Sequence, residues 1–368
     1  MSSAQPSTEP ASSPSADSSP GRHRGSLLVC ALVLAYASLY PFVPLRLPAD
    51  DALTLFLQLR YLTGFDIALN AAAYVPLGAL AVLVLRASGT SRHVIAKATA
   101  IGFGFSATME ALQLFIPFRV SQVSDVASNT AGALAGAALF TRPIYERVTR
   151  PLGALRERLI EPGAWGDAGL ALVALWLIAQ LNPALPFFEA GSIGSAGDTD
   201  PVEGDVAILA LQVIAVALST CGFGLFVSTL PRGPGGALRM TVALLTIALW
   251  LKFVTAATML RPQLSADWVN EVRVIGLAAG LLIFIALREL QRGTRIYLAM
   301  LLVLAGALFA RIVGDYSPMD DLVRLFKWPH GQLSTFTSLT RYLHEVWPLL
   351  VMGYLIACFV SAQRRDVR

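Results

Sequence analysis

The chain has 368 residues, of which 55% are hydrophobic and 14% are charged, and its mean hydropathy is +0.62. These values exclude an ordinary soluble globular protein, in which charged residues make up about a quarter of the chain. The formal net charge of +4 does not indicate a nucleic-acid-binding protein, because no soluble stretch is long enough to present a basic face. The composition predicts an all-α polytopic transmembrane helical bundle with no β-sheet.

The first 25 residues are rich in Ser, Pro and Ala and contain almost nothing apolar to bury, which predicts a disordered tail. Arg22, His23 and Arg24 then precede an apolar run that begins near Ser26. A signal peptide is one interpretation of this run, because Ala35-Tyr36-Ala37 has the small-residue pattern of a cleavage site. Its apolar character continues to Val43, however, which favours an uncleaved first membrane span.

Apolar runs long enough to cross about 30 Å of hydrocarbon predict ten membrane helices. Their predicted cores are Ser26–Val43, Ile67–Leu85, Val94–Ile116, Val123–Phe140, Leu170–Leu181, Val206–Leu230, Ala237–Leu260, Val274–Leu287, Ile296–Val313 and Val346–Val360. With this count, 18 of the 28 basic residues fall on the side of both termini and eight on the other side. Because cytoplasmic loops carry the excess of Lys and Arg, we predict a bacterial inner-membrane protein with both termini in the cytoplasm.

These spans form two predicted membrane domains. A four-span domain covers residues 26–141, a six-span domain of unknown type covers 166–362, and cytoplasmic tails lie at 1–25 and 363–368. The segment 142–165 between the domains is rich in Arg and Glu. The sequence leaves open whether this segment is a solvated basic linker or an interfacial helix against anionic headgroups.

The polar residues of interest lie in the four-span domain, where three predicted helix ends meet on the outer side. The predicted ligand-binding residues are Asp66, Asn70, Glu110, Gln113, Arg119, Ser121, Asp125 and Asn129. Residues three or four apart share a helix face, and the short turn between the third and fourth spans predicts antiparallel neighbours. Acidic side chains in hydrocarbon cost about 2.5–3.5 kcal/mol each, so they are seldom kept without a partner or a role.

Each of these residues also has a structural interpretation. Glu110 is either a buried carboxylate that binds a cation or exchanges protons, or a packing residue locked to Arg119 or Gln113. Asp125 lies in a first helical turn, where an acid complements the helix dipole. Arg119 beside a polar pocket suits capture of a phosphate or carboxylate, and the alternative is an ion pair or a headgroup anchor.

Glycine spacing predicts where the helices approach one another. Gly132 and Gly136 form a Gly-x-x-x-Gly pattern in the fourth span, which indicates close contact with another helix. Gly102 and Gly104 predict the same for the third span.

The remaining polar residues do not indicate a metal or cofactor. Lys252 and Arg311 fall in the outer halves of their spans, and snorkelling to the surface is favoured over a shared cavity. The three cysteines and four histidines lack the spacing of a zinc or redox site. We therefore expect neither a metal nor a cofactor.

Together, the polar positions of the first four spans resemble the VanZ-like membrane domain. The resemblance covers about Leu27 to Phe140 and is carried by Asp66-x-x-x-Asn70, Pro76-x-Gly78, Glu110-x-x-Gln113, Arg119, Asp125, Asn129 and Gly132. It implies a multi-pass membrane protein, and the name-giving member of the family is associated with resistance to lipoglycopeptide antibiotics of the teicoplanin type. No established reaction comes with the resemblance.

We expect an outward-facing polar pocket that recognises a lipid-linked envelope intermediate, a phospholipid headgroup or a lipid-tailed antibiotic. A membrane enzyme with Glu110 or Asp125 as general base is one alternative, although no nucleophile–base pair supports it. A transporter with a proton-linked Glu110 is another, although no matched pair of interrupted helices is present. The expected partners are membrane lipids or lipid-linked cell-wall intermediates, not nucleic acid, and the oligomeric state is left open.

Overall fold

The structure is a computed structural model that describes residues 20–39, 42, 45–48, 52–57, 64–90, 92–116, 121–183, 185, 206–233, 235–260, 271–313 and 331–366. In chain order the helices are α1 (Pro20–Leu39), α2 (Ala52–Leu57), α3 (Gly64–Ala87), α4 (Val94–Gln113), α5 (Val123–Ala138), α6 (Arg142–Ile144), α7 (Arg150–Leu159), α8 (Ala164–Gln180), α9 (Val206–Val227), α10 (Gly236–Met259), α11 (Glu271–Leu287), α12 (Arg292–Val313) and α13 (Gly331–Asp366). A π-helical turn, Tyr145–Thr149, joins α6 to α7. The described residues contain no strand, so the all-α prediction is confirmed.

All ten predicted spans coincide with helices, namely α1, α3, α4, α5 and α8 to α13. Five segments are long and apolar enough to cross a membrane by length and composition: Asp66–Ala87, Leu209–Val227, Gly236–Met259, Arg292–Arg311 and Thr340–Ser361. Two further apolar helices, α1 and α8, are shorter. The chain is therefore an all-α membrane protein, and the count of ten crossings stays a prediction.

Several helix boundaries differ from the predicted cores, including those nearest the two ends of the chain. Helix α1 begins at Pro20, before the predicted start at Ser26, because proline is well suited to the first position of a helix. Helix α13 continues to Asp366, beyond the predicted end of the last domain. The rest of the predicted N-terminal tail, residues 1–19, lies outside the described residues.

The chain divides into two compact units, residues 1–149 and 150–368. In the first unit α1, α3, α4 and α5 pack as a bundle. Leu34 of α1 and Phe105 of α4 contact a buried cluster of Tyr74, Leu77 and Ala133. A second cluster extends the core along the bundle and contains Ala81, Val82, Val94, Ala98 and Ala137.

Small residues bring α3 and α5 into backbone contact. A Cβ atom on Gly132 would collide with the carbonyl oxygen of Ala71, and a Cβ atom on Gly136 would collide with that of Val75. Only glycine permits so close an approach. The contact predicted from the Gly-x-x-x-Gly pattern is confirmed.

The two glycines of α4 differ from each other. A Cβ atom on Gly102 would collide with the methyl group of Ala133, whereas Gly104 has open space around it. The prediction of close helix contact is therefore right for Gly102 and wrong for Gly104.

One end of this bundle carries basic side chains. Arg86, near the end of α3, donates a hydrogen bond of 3.0 Å from Nη2 to the carbonyl oxygen of Phe140. The Arg86 guanidinium also lies over the aromatic ring of Phe140. Arg24 of α1 approaches Ser88, with 3.4 Å between Nη2 and Oγ. We call this the basic end of the bundle.

Helix α9 forms the centre of the second unit. Residues 221–227 are all buried, as expected for a helix that is apolar on every side. Trp176 of α8 stacks on Phe223 with 4.1 Å between ring centroids. Trp347 of α13 meets Phe226 edge to face at 5.7 Å.

The segment 142–165 is helical as far as Leu159. No side chain of α7 is buried, and Leu152, Leu155 and Leu159 are 60%, 51% and 54% exposed on one face. The backbone N–H of Arg232 donates to the carbonyl oxygen of Leu159 at 3.1 Å, which holds the end of α7. An exposed leucine face favours the interfacial-helix alternative, which stays a prediction.

Lys252 does not snorkel, so the prediction is wrong for this residue. Its side chain is fully buried, and Nζ donates to the carbonyl oxygens of Asn182 at 2.9 Å and Leu185 at 2.7 Å. These carbonyls follow the C-terminus of α8, where the negative end of the helix dipole favours an ammonium group.

Candidate functional site

Glu110, in the last turn of α4, holds the start of α5. Its Oε2 accepts a hydrogen bond from Ser121 Oγ at 2.8 Å and another from the backbone N–H of Gln122 at 3.1 Å. Gln122 is the N-cap residue of α5, so the carboxylate lies at the positive end of that helix. Glu110 is 4% exposed. The structure thus brings Glu110 and Ser121, both predicted site residues, into direct contact.

Asn70 and Asp125 connect α3 to α5 about one helical turn after the N-cap residue Gln122. Asn70 Nδ2 donates to Asp125 Oδ1 at 3.0 Å, and Asp125 is 7% exposed in the first turn of α5. Asp66 lies one turn before Asn70, half-buried in the first turn of α3. Asp125 therefore combines the expected position near the helix dipole with a bond between helices.

Asn129 and Tyr74 leave hydrogen-bonding capacity unfilled inside the bundle. Asn129 Nδ2 donates to Ser106 Oγ at 2.9 Å, but Asn129 Oδ1 and the Tyr74 hydroxyl are buried without a hydrogen-bond partner among the described residues. Because an unpaired buried polar group costs about 1–3 kcal/mol, a water or a ligand hydroxyl would be stabilised here.

The other predicted residues take different positions. Gln113 Nε2 donates to the carbonyl oxygen of Ser38 at 2.9 Å, so it fastens α4 to α1. Arg119 lies outside the described residues, and its predicted roles stay predictions.

Sequence reasoning missed Tyr74, Ser106 and Gln122. Tyr74 follows Asn70 by four residues and Ser106 precedes Glu110 by four, so each lies on the same helix face as a predicted residue. Extending each polar face by one turn would have found both. Gln122 acts through its backbone N–H, for which residue type gives no signal.

We call this set the polar cluster; it comprises Asn70, Tyr74, Ser106, Glu110, Ser121, Asp125 and Asn129. Two carboxylates and a free amide oxygen make it rich in hydrogen-bond acceptors. It therefore suits groups that donate O–H or N–H bonds. In the part of the chain that the structure describes, no three His, Cys, Asp or Glu side chains are placed to hold a metal ion.

The family comparison supports the resemblance seen in the sequence. Residues 8–145 match the VanZ/LLP1 family model. The N-terminal region is therefore similar to this family, and we call it the VanZ-like domain. This domain contains α1 to α5 and every residue of the polar cluster. No curated protein and no solved structure matches the chain.

Proposed function

We propose that the VanZ-like domain recognises the polar head of a lipid-linked envelope component or of a lipophilic, teicoplanin-type antibiotic at the polar cluster. The proposal rests on the Asn129 Oδ1 atom and the Tyr74 hydroxyl, which are buried without a partner among the described residues, in a bundle that also buries the carboxylates of Glu110 and Asp125. Sugar and peptide headgroups carry many hydroxyl and amide N–H groups. These donors match the acceptors of the cluster.

The charge of the cluster narrows the chemistry of the ligand. Glu110 and Asp125 are both buried at the start of α5, where Glu110 bonds the backbone N–H of Gln122 and Asp125 bonds Asn70. Their charges would repel a phosphate at this place, so we expect the sugar or peptide part of the ligand to occupy the cluster. In this proposal the phosphate or carboxylate of the ligand is held by Arg119.

Binding requires the cluster to open. Glu110 is only 4% exposed, and the hydrogen bonds from Ser121 and Gln122 close it at the start of α5. A hydrogen bond to a charged group contributes about 1.5–3 kcal/mol, which a ligand that replaces both donors recovers. We therefore expect the ligand to displace Ser121 and Gln122 from the carboxylate.

The distribution of charge supports a proposal for which side of the membrane the cluster faces. Arg24 and Arg86 lie at the basic end of the bundle, whereas the Asn70–Asp125 bond lies toward the opposite end. Since basic residues concentrate on the cytoplasmic side, we propose that the cluster faces outward from the bacterial inner membrane. This is the side on which envelope intermediates and antibiotics are met.

The test measures ligand binding and stability together. Full-length protein is purified in detergent, co-purifying lipids are identified by mass spectrometry, and teicoplanin is titrated by fluorescence. Glu110→Gln keeps the shape of the side chain and loses its charge, so we expect affinity to fall about tenfold. Glu146→Gln, at an exposed acid of the π-helical turn, is the matched control and should bind like the wild type.

Two further variants separate ligand binding from helix packing. Asn129→Leu removes the unfilled amide oxygen, and Arg119→Ala removes the proposed anion contact. If Glu110→Gln and both of these variants keep wild-type binding while folded, the polar cluster only locks the helices together and the proposal fails.

A further inference from the structure

A cavity of about 80 Å³ lies in the second unit between α8, α9, α12 and α13. Its wall is mostly apolar and includes the indole rings of Trp176 and Trp347. Arg311, His344 and Glu345 supply the charged and polar groups. A concave, mostly apolar site with a few polar groups is the usual form of a ligand pocket.

The aromatic walls are fixed by contacts outside the cavity. Trp347 Nε1 donates to the carbonyl oxygen of Leu172 at 2.8 Å, which connects α13 to α8. Trp176 stacks on Phe223 of α9. Because these rings are already held in place, a ligand would lose little binding energy to reordering them.

Of the charged residues that line the cavity, Glu345 is in an ion pair and Arg311 is the cation that can bind a ligand. Glu345 forms an ion pair with Arg341, with 3.1 Å between Oε1 and Nε. Arg311 forms no ion pair or hydrogen bond with any residue that the structure describes, and its side chain is exposed. Among the described residues that line the cavity, the charge without an ion-pair partner is therefore the positive charge of Arg311.

The position of Arg311 fits the depth of a lipid headgroup. It is the last residue of the apolar segment Arg292–Arg311, which is long enough to cross a membrane. A guanidinium at this place can bond a phosphate through two parallel N–H groups. Since one water takes up about 10–15 Å³ of such a volume, the cavity of about 80 Å³ has room for a phosphate and a few further atoms, and the rest of the lipid would extend along the outer surface of the helices.

We propose that this cavity binds the phosphate-bearing head of an anionic lipid, with Arg311 contacting the phosphate and the two indole rings contacting the adjoining apolar part. The site belongs to the second unit and shares no residue with the polar cluster. It can therefore exist whether or not the VanZ-like domain binds an envelope component.

The test titrates phosphatidylglycerol into the delipidated full-length protein and follows binding by native mass spectrometry. We expect saturable binding of a single lipid per chain. Arg311→Ala should weaken it about tenfold, because a charge-assisted bond is lost. Ala307→Trp should weaken it as well by filling the cavity while Arg311 remains. Arg239→Ala removes an exposed arginine of α10 that does not line the cavity, and it should have no effect.

Two further arms identify the source of the phosphate. If excess inorganic phosphate displaces the lipid from the wild type, the same site also takes a free phosphate; if it does not, the bound phosphate comes from the lipid headgroup. If phosphatidylcholine binds with equal affinity, or if Arg239→Ala weakens binding as much as Arg311→Ala, the lipid is held by surface charge and the proposal is overturned. Arg311→Ala with wild-type binding would overturn it too, and this exposed substitution should not impair folding.

Discussion

At the level of single residues, the hydrogen bond between Asn70 and Asp125 gives the sharpest test of how the VanZ-like domain is held together. Asn70→Ala removes the donor from a carboxylate that is 7% exposed. Loss of a bond to a buried charged group should lower the free energy of unfolding by about 1.5–3 kcal/mol, measured from thermal or denaturant unfolding in detergent.

The matched control is Thr108→Ala. Thr108 Oγ1 bonds only to the carbonyl oxygen of Gly104 within its own helix, on an exposed face, so the change should stay within about 0.5 kcal/mol. Equal unfolding curves for the two variants would mean that the Asn70–Asp125 bond does not contribute to folding.

Residue type and spacing predicted part of the site and failed where the partner is distant in sequence. Glu110, Asp125 and Asn129 were identified because acids and amides are rare in apolar runs. Tyrosine, in contrast, is common in apolar runs, so its residue type gave no signal. Only the fold brings the Tyr74 hydroxyl into the same bundle as these acids and amides. Lys252 could not be predicted to be buried, because its partners are the backbone carbonyls that follow α8.

At the level of elements, the contact between α3 and α5 depends on glycine. Gly132→Leu would drive a side chain into the backbone of Ala71, and such overpacking costs about 1–3 kcal/mol or more. We expect a lower unfolding temperature and a broader gel-filtration profile. Gly104→Leu, in open space on α4, should instead stabilise the helix by about 0.5–1 kcal/mol. If both substitutions changed the stability in the same direction, the close packing of α3 against α5 at Gly132 would be contradicted.

The sequence predicted the long helices better than the short ones. Apolar runs of membrane length identify a helix whatever its neighbours are, and all ten such runs are helical. Helix α2 has six residues and α6 has three, too few for a periodic pattern. The predicted start of α1 and the predicted end of α13 were also wrong, because the polar residues of a terminal helical turn have the same composition as those of a disordered tail.

At the level of the whole molecule, the number of crossings can be argued from contacts within the bundle. Helix α5 has 16 residues and is about 24 Å long, shorter than the usual span. Its start bonds Asn70 through Asp125, and Phe140 just beyond its end bonds Arg86. It therefore runs alongside most of α3, which is long and apolar enough to cross. A helix below the usual length can thus traverse the same depth.

Whether the number of crossings is even or odd is a decisive test of the topology. Ten crossings place both termini on one side of the membrane, whereas crossings by the five long apolar segments alone would place them on opposite sides. We expect green fluorescent protein to fluoresce when fused after Arg158 or Arg368, and alkaline phosphatase to be active when fused after Asp198. Exchanging the two reporters at each site is the control. Active phosphatase after Arg368 would mean an odd count. Because α1, α3, α4 and α5 pack side by side in one bundle, the missing crossing would then lie in the second unit.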